Sequence, residues 1–248
     1  MPKRFLEVSR LRASYPAPPP VIGWLMGKGR ESTSVLDGVD FVQQAGESVS
    51  LLGRNGAGKS TLLKILLGLL PPEGGTVLVD GVEASSLESR RRLGFVHPDE
   101  RSFYHRLNVR DNLRFFGGLW GIERQRLERR IDALAASLEC SRWLHRPFQV
   151  LSTGMRQKVA LVRALLHDPE MVLMDEPTRS LDRIAASQVH GFIRGLVEEG
   201  RGLFVATHSL EEASALSDRC LVLCSGNLVH DGGIPDPETL GRQLGGAP

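Results

Sequence analysis

The sequence predicts an α/β fold in which helices cover both sides of a mostly parallel sheet. Strand-like apolar runs alternate with helix-like segments along most of the chain, as in parallel sheets joined by helical crossovers. Between about residues 108 and 146 the pattern is helical throughout and rich in arginine, which indicates an inserted helical segment. With 248 residues, 41% of them hydrophobic, the chain can bury one sizeable core or a core with a small second lobe.

Short apolar runs bounded by turn residues predict the strands. In chain order these runs are FLEV, VLDGVDFV, GESVSLLG, EGGTVLVDG, LGFV, MVLMD and GLFVAT. The segment CLVLCSGNLVHDG predicts two more strands around a turn at Gly226 and Asn227. The tail after Asp231 is rich in glycine and proline, and we expect it to be loosely held.

Three signals mark the helices. KSTLLKILLGLL predicts a helix that is ended by Gly68 and the Pro71–Pro72 pair, and a second helix is expected from about Arg183 to Glu199. Ser209 and Glu212 have the spacing of a capping box, which predicts that a helix begins there.

Composition argues against several classes of protein. The longest apolar stretch, residues 62–70, is interrupted by Lys64 and falls far short of the roughly 18 residues that suggest a membrane span. The N-terminus MPKRFLEVSR lacks the apolar region of a signal peptide, so we expect a cytosolic chain. Cys140, Cys220 and Cys224 lack the spacing of a metal site or a disulfide framework, and we interpret them as buried thiols.

The net charge is only +2, but it is unevenly distributed. Residues 90–146 contain thirteen Arg, no Lys and seven Asp or Glu, an excess of six positive charges. These arginines either form a solvated face or dock on a partner's acidic loops or on anionic lipid headgroups. Nucleic acid is not expected as a partner, because no reader motif accompanies the charge. The docking candidates are Arg124, Arg126, Arg129 and Arg130.

A glycine-rich loop follows a predicted strand and opens a predicted helix, which is the context of a phosphate-binding P-loop. It matches G-x-x-x-x-G-K-[ST] with Gly53, Arg54, Asn55, Gly56, Ala57, Gly58, Lys59 and Ser60, and Thr61 follows. Glycines let such a loop point its backbone N–H groups at a phosphate. Lys59 is expected to reach the β- and γ-phosphates, and the Ser60 hydroxyl to ligate Mg²⁺.

Adjacent carboxylates end the apolar strand MVLMD, at the edge where open α/β sheets bind ligands. Asp175 can hold Mg²⁺ there. Glu176 is positioned to orient and deprotonate an attacking water, so it is the candidate general base.

The segment LSTGMRQK, residues 151–158, resembles the signature of ABC ATPases, which usually reads L-S-G-G-Q. GRNGAGKST, MDEPTRSLD and FVATHSLEEA resemble other motifs of that family, and together they cover nearly the whole chain. The resemblance implies a P-loop NTPase (RecA-like) core with an N-terminal antiparallel β part and an inserted α-helical subdomain. It implies one ABC ATPase domain over 1–248, with the core at 1–92 and 153–248 and the helical subdomain with the signature at 93–152.

The same resemblance implies a head-to-tail homodimer with ATP and Mg²⁺ between the subunits. Ser152, Thr153 and Gly154 of the signature would then meet the γ-phosphate of the ATP that the other subunit's P-loop holds. Asp182, in the Ser180-Leu181-Asp182 segment, matches the D-loop that crosses the dimer interface.

Two further positions are carried over from the family. His208 matches the switch histidine that contacts the γ-phosphate, and we place it among the catalytic residues. Tyr15 matches the aromatic residue that stacks on adenine, which needs only a π-face, with Trp24 as the competitor.

The chain departs from the family where a glutamine is expected just after the strand LGFV. His97-Pro98-Asp99-Glu100 stands there instead, so Asp99 or Glu100 is expected to take over, and Asp99 is our third candidate metal ligand.

The implied function is ATP hydrolysis that powers export through a permease on a separate chain, at the cytoplasmic face of the membrane. The STGM form of the signature resembles that of exporters whose membrane subunits are separate chains, and the insertion between Tyr15 and Val35 resembles that of polysaccharide and teichoic-acid exporters. The resemblance therefore implies a lipid-linked polysaccharide or another amphipathic molecule as the substrate. The alternatives are an importer ATPase, an ABC protein acting in translation or DNA repair, and an adaptor that binds ATP without hydrolysing it. Intact Lys59, Asp175, Glu176 and His208 argue against the adaptor.

Overall fold

A computed structural model describes residues 3–15, 33–97, 102–179 and 181–245. Its strands in chain order are β1 (Arg4–Tyr15), β2 (Thr33–Gln44), β3 (Ser48–Leu52), β4 (Gly74–Val79), β5 (Val82–Glu83), β6 (Leu93–Val96), β7 (Met171–Asp175), β8 (Gly202–Thr207), β9 (Arg219–Cys224) and β10 (Asn227–Gly232). They form an antiparallel sheet of order β2-β1-β4-β5 and a second sheet of order β10-β9-β3-β8-β7-β6. Only β10 runs antiparallel in the second sheet. The predicted fold class is confirmed.

The α-helices in the described part are α1 (Lys59–Leu66), α2 (Leu87–Arg92), α3 (Val109–Leu119), α4 (Arg124–Ser137), α5 (Thr153–Leu165), α6 (Arg183–Glu198), α7 (Leu210–Leu216) and α8 (Pro237–Gln243). Strands β3, β7 and β8 are buried along their whole length, which is why β7 and β8 are nearly continuous apolar runs. β3 also contains Ser48 and Ser50, whose buried hydroxyls bond Ser217. One apolar cluster joins α1 to both sheets, and a second joins the other side of the parallel sheet to α3–α6. Over the described residues, no helix is long and apolar enough to cross a membrane.

The helical segment is held by its own apolar centre and by ion pairs. Leu113 and Ile131 are fully buried there. Arg110 bonds Glu128 and Asp132, and Arg114 also bonds Glu128. Part of the positive excess therefore stabilises this segment internally.

The predicted boundary at residue 93 needs correction. Strand β6 pairs in parallel with β7, and Leu93 and Val96 are buried. Residues 93–96 therefore belong to the parallel sheet, and the inserted segment begins after them.

Local predictions near the C-terminus also differ. The hairpin turn is formed by Ser225 and Gly226, because Asn227 already pairs with Cys224 across the two strands. Ser225 and Gly226 have positive φ values of 46° and 84°, which are typical of a two-residue hairpin loop. The predicted turn at Gly226 and Asn227 was therefore one residue too late. The segment from Asp231 to residue 245, which was expected to be loosely held, contains the helix α8 and packs on the fold. Asp236 caps α8, whose Leu240 packs against an apolar cluster on the parallel sheet.

The three cysteines are free. Cys140 and Cys220 are buried as predicted, whereas Cys224 at the end of β9 is only half-buried.

Candidate functional site

The P-loop runs from the end of β3 to the start of α1 and is packed too tightly for side chains at two glycines. A Cβ on Gly53 would lie 2.6 Å from the Leu223 carbonyl oxygen. Gly58 has a φ of +111°, and a Cβ there would lie 2.8 Å from the Val35 carbonyl oxygen. These glycines fit the loop between β2 and β9, so the motif spacing has a steric reason.

Lys59 is 6% exposed and points back into this loop. Its Nζ donates to the carbonyl oxygens of Gly53 at 2.7 Å and Arg54 at 3.2 Å. Burial lowers the pKa of Lys59, while the charges of Glu176 and Asp175 raise it. The ammonium is thus held among the P-loop carbonyls, near the Asp175 and Glu176 carboxylates at the C-terminal end of β7.

Ser60 and Asp175 meet between α1 and β7. The Ser60 hydroxyl donates to Asp175 Oδ2 at 2.9 Å. Burial raises the pKa of Asp175, and the bond from Ser60 opposes this. A hydroxyl and a carboxylate are hard oxygen donors of the kind that Mg²⁺ prefers, so these residues fit the metal that the sequence predicts.

Glu176 lies one residue beyond Asp175 in a left-handed conformation with a φ of 48°. Its N–H donates to the Ala206 carbonyl at 2.8 Å, which fixes the turn against β8. One carboxylate oxygen, Oε1, is 2.9 Å from His208 Nδ1. The other, Oε2, is 3.2 Å from Arg179 Nη1. The two predicted catalytic side chains are therefore in contact, and a cation that was not predicted faces the same carboxylate.

This combination of a P-loop, two carboxylates at the end of a buried strand and a histidine just after the adjacent strand can be compared with known proteins. A profile described as ABC transporter matches residues 36–179, which is more than half of the chain. The chain belongs to the ABC transporter family.

The relatives extend this match. ABC transporter ATP-binding protein NatA of Bacillus subtilis is 36% identical over 198 residues, which are 79% of this chain and 80% of that protein. Nod factor export ATP-binding protein I of Burkholderia lata is 36% identical over 200 residues, 80% of this chain and 66% of that protein. A solved ATP-binding subunit of an ABC transporter superposes with a TM-score of 0.77 at 30% identity, over 98% of this chain and 95% of that one. The chain is thus an ATP-binding subunit of an ABC transporter, and an ATPase.

The signature and the D-loop of this ABC ATPase lie beside each other. Ser152 caps α5 by accepting from the Met155 N–H, and Ser152 and Thr153 are exposed. A Cβ on Gly154 would lie 3.6 Å from a Leu181 methyl group. Asp182 caps α6 by accepting from the Ala185 N–H at 2.8 Å. Asp182 thus has a local role, and its role toward ATP stays a prediction.

Tyr15 lies at the edge of the P-loop helix. Its hydroxyl is 3.2 Å from Thr61 Oγ1, and the residue is exposed. This placement is compatible with stacking on adenine, which remains a prediction. Its competitor Trp24, the candidate metal ligand Asp99 with Glu100, and Ser180 lie outside the described residues.

Sequence reasoning missed two contributors to this site. Arg179 could have been noticed as the basic residue three positions after Glu176. Glu212 was predicted only to cap α7, but its side chain turns away from the cap. The Ser209 hydroxyl does accept from the Glu212 N–H at 3.2 Å, whereas the Ser209 N–H donates to Thr207 Oγ1 at 3.0 Å. Only half of the capping box forms, because the Glu212 carboxylate binds Thr178 instead.

Proposed function

We propose that this ABC ATPase hydrolyses Mg²⁺-ATP between two subunits in a head-to-tail dimer and thereby drives export through a separate permease at the membrane. The observation that carries the catalytic part is the contact of Glu176 with His208 beside the P-loop lysine. The direction of transport is supported by the similarity to the Nod factor export protein.

In this proposal Lys59 binds the β- and γ-phosphates. Ser60 and Asp175 would hold Mg²⁺, which when bound neutralises charge on the phosphates. Glu176 accepts a proton from water as the water oxygen attacks the γ-phosphorus and the bond to the leaving ADP oxygen breaks. His208 holds the Glu176 carboxylate on one oxygen and reaches the γ-phosphate. Ser152, Thr153 and Gly154 bring exposed N–H groups at the start of α5 to the γ-phosphate on the other subunit.

Glu176→Gln tests the catalytic part. The amide keeps the size of the side chain but cannot accept the proton, so hydrolysis is expected to slow by roughly 10²–10⁴-fold. Uncleaved ATP should then hold two subunits together, and gel filtration with ATP and Mg²⁺ should show a dimer. Lys59→Ala is the control that should neither hydrolyse ATP nor dimerise. A Glu176→Gln protein that binds ATP yet elutes as a monomer would contradict the dimer.

The permease is proposed to dock where the helical segment meets the parallel sheet. Two cavities of about 370 and 280 Å³ share Trp120 and His167 as lining residues. Leu69, which is 62% exposed, lines one, and Arg91 and Arg126 line the other. An apolar recess bordered by basic residues suits an amphipathic segment with acidic side chains.

The docking arginines differ in what they do inside the chain. Arg130 donates to the Leu165 carbonyl at 2.7 Å and to Asp168 at 2.8 Å, so it ties α4 to the end of α5. Arg130 is therefore unsuitable for testing docking. Arg91→Glu with Arg126→Glu should reduce co-purification with the partner permease, while ATPase activity of the isolated subunit is retained. Arg12→Glu, at an exposed site on β1, is the matched control. Undiminished co-purification would rule out this surface.

A further inference from the structure

Glu212 is a buried carboxylate, 5% exposed, on α7 behind the catalytic side chains. Its Oε1 accepts from the Thr178 N–H at 3.2 Å and also from the Thr178 hydroxyl. The Thr207 hydroxyl lies close enough to the same carboxylate to lower its pKa. Ser209 also links the two residues, because its hydroxyl accepts from the Glu212 N–H at 3.2 Å and its own N–H donates to Thr207 Oγ1 at 3.0 Å. Glu212 thus lies between the segment after β7 and the end of β8.

These two segments carry Glu176 and His208. Thr178 follows Glu176 with only Pro177 between them, and proline fixes its own φ. Thr207 directly precedes His208. A shift of either threonine would therefore move one of the two catalytic side chains relative to the other, whose contact is 2.9 Å long.

Glu212 also reaches the helix that follows the D-loop. His190 Nε2 on α6 lies 3.6 Å from Glu212 Oε1, and α6 begins immediately after Asp182. The carboxylate therefore contacts both the segment after β7, which carries Glu176, and α6, which follows the D-loop.

The electrostatics fit a carboxylate that is kept ionised. Burial would raise the pKa of Glu212, but the neighbouring His190 ring and the hydroxyls of Thr178 and Thr207 favour the ionised form and hold the pKa below its ordinary value. A buried ion is costly, and an apolar residue of the same size is often equally stabilising. A charged hub at this place therefore suggests a use beyond stability.

We propose that Glu212 is a positioning residue for ATP hydrolysis, which sets the distance between Glu176 and His208 by holding Thr178 and Thr207. This inference rests on the proposed catalytic roles of Glu176 and His208.

The test compares Glu212→Ala, Glu212→Gln and Thr178→Val with the unchanged protein. Misplacing a reacting group by about 1 Å can cost about 10²-fold in rate, so Glu212→Ala should lower kcat by about that factor, with KM for ATP unchanged. Glu212→Gln keeps an oxygen for Thr178 and should restore much of the rate. Thr178→Val keeps the backbone hydrogen bond to Glu212 but loses the hydroxyl, and its kcat should fall by about tenfold. This variant still tests the proposal if Glu212→Ala fails to fold.

A matched control variant and a double-mutant cycle distinguish a positioning role of Glu212 from a purely structural one. Gln43 is fully buried and bonds the Glu47 and Leu203 carbonyls near the opposite end of β8. Gln43→Ala should lower the melting temperature without lowering kcat. If Glu212 acts through His208, then Glu212→Ala should have little further effect in a His208→Ala background, measured in single turnovers of radiolabelled ATP.

The outcomes are distinct. Equal fold-losses in both backgrounds, or a loss in kcat no larger than that of Gln43→Ala, would overturn the positioning role. Normal turnover by Glu176→Gln would instead overturn the proposed function. If Glu176→Gln loses ATP hydrolysis while Glu212→Ala keeps the kcat of the unchanged protein, the proposed function stands and this inference alone is rejected.

Discussion

Arg219 joins the two sheets, and its removal should be costly. Its guanidinium forms a bidentate pair with Asp231 on β10, at 2.7 and 2.8 Å. It also donates to Glu47 at 3.0 Å and to the Val42 carbonyl at 2.8 Å. The side chain is 25% exposed, Glu47 24% and Asp231 41%. Removing one partner of a fully buried pair costs about 3–5 kcal/mol, and partial solvation reduces this to about 2 kcal/mol.

For a chain of this size, Arg219→Ala should therefore lower the melting temperature by about 4–8 °C. The control is Arg242→Ala, which removes the same charge from a pair with Glu238 that is 3.8 Å long and involves a side chain 66% exposed. Such exposed pairs contribute about 0–1 kcal/mol. Melting would be followed by circular dichroism at low salt, with ATPase activity at low temperature confirming the fold. Equal melting temperatures for the two variants would refute the argument.

Two further predictions follow from buried groups. Burial raises the pKa of Cys140 and of Cys220 to about 11. Iodoacetamide reacts with the thiolate, so the half-buried Cys224 should be modified first, which peptide mass spectrometry would show. Early labelling of Cys140 would contradict its burial. Burial lowers the pKa of His167, although its bond to the Leu93 carbonyl opposes this. The unfolded chain then binds more protons than the folded chain, so stability should fall as the pH drops through the unfolded pKa of about 6.5. The melting temperature of His167→Gln should therefore fall less over this pH range than that of the unchanged protein. An identical pH dependence in the two proteins would exclude His167 as its source.

Long periodic or fully apolar segments were predictable because their signals are local. Strands β7 and β8 are uninterrupted apolar runs next to turn residues, and they lie where the sequence places them. The position of the P-loop between β3 and α1 was also predictable, because its motif has a fixed spacing, whereas the bonds from Lys59 to the Gly53 and Arg54 carbonyls were not predicted.

Tertiary pairings were not predictable in the same way. Glu212 has the spacing of a cap, and only the approach of Thr178 from another strand decides where its carboxylate points. Arg130 resembles its neighbours on α4, yet the Leu165 carbonyl and Asp168 set it apart. Competing partners that are distant in sequence leave no periodic signal.

Lys59, Ser60 and Asp175, which are predicted to bind Mg²⁺-ATP, have hydrogen-bond partners within the chain, so binding must exchange contacts rather than simply add them. Ser60 Oγ gives up its 2.9 Å bond to Asp175 if both oxygens turn to the metal. A hydrogen bond to a charged group contributes about 1.5–3 kcal/mol. Because Ser60 loses its bond to Asp175 when it turns to the metal, we expect its hydroxyl to contribute about half of that energy to Mg²⁺-ATP binding. Ser60→Ala should therefore weaken Mg²⁺-ATP binding by about tenfold while leaving metal-free ATP binding unchanged, measured by isothermal titration calorimetry with Mg²⁺ and with EDTA. Ser60→Thr keeps the hydroxyl that the P-loop motif permits, and it should bind both forms normally. Equal weakening of both forms by Ser60→Ala would show that the hydroxyl supports the loop rather than the metal.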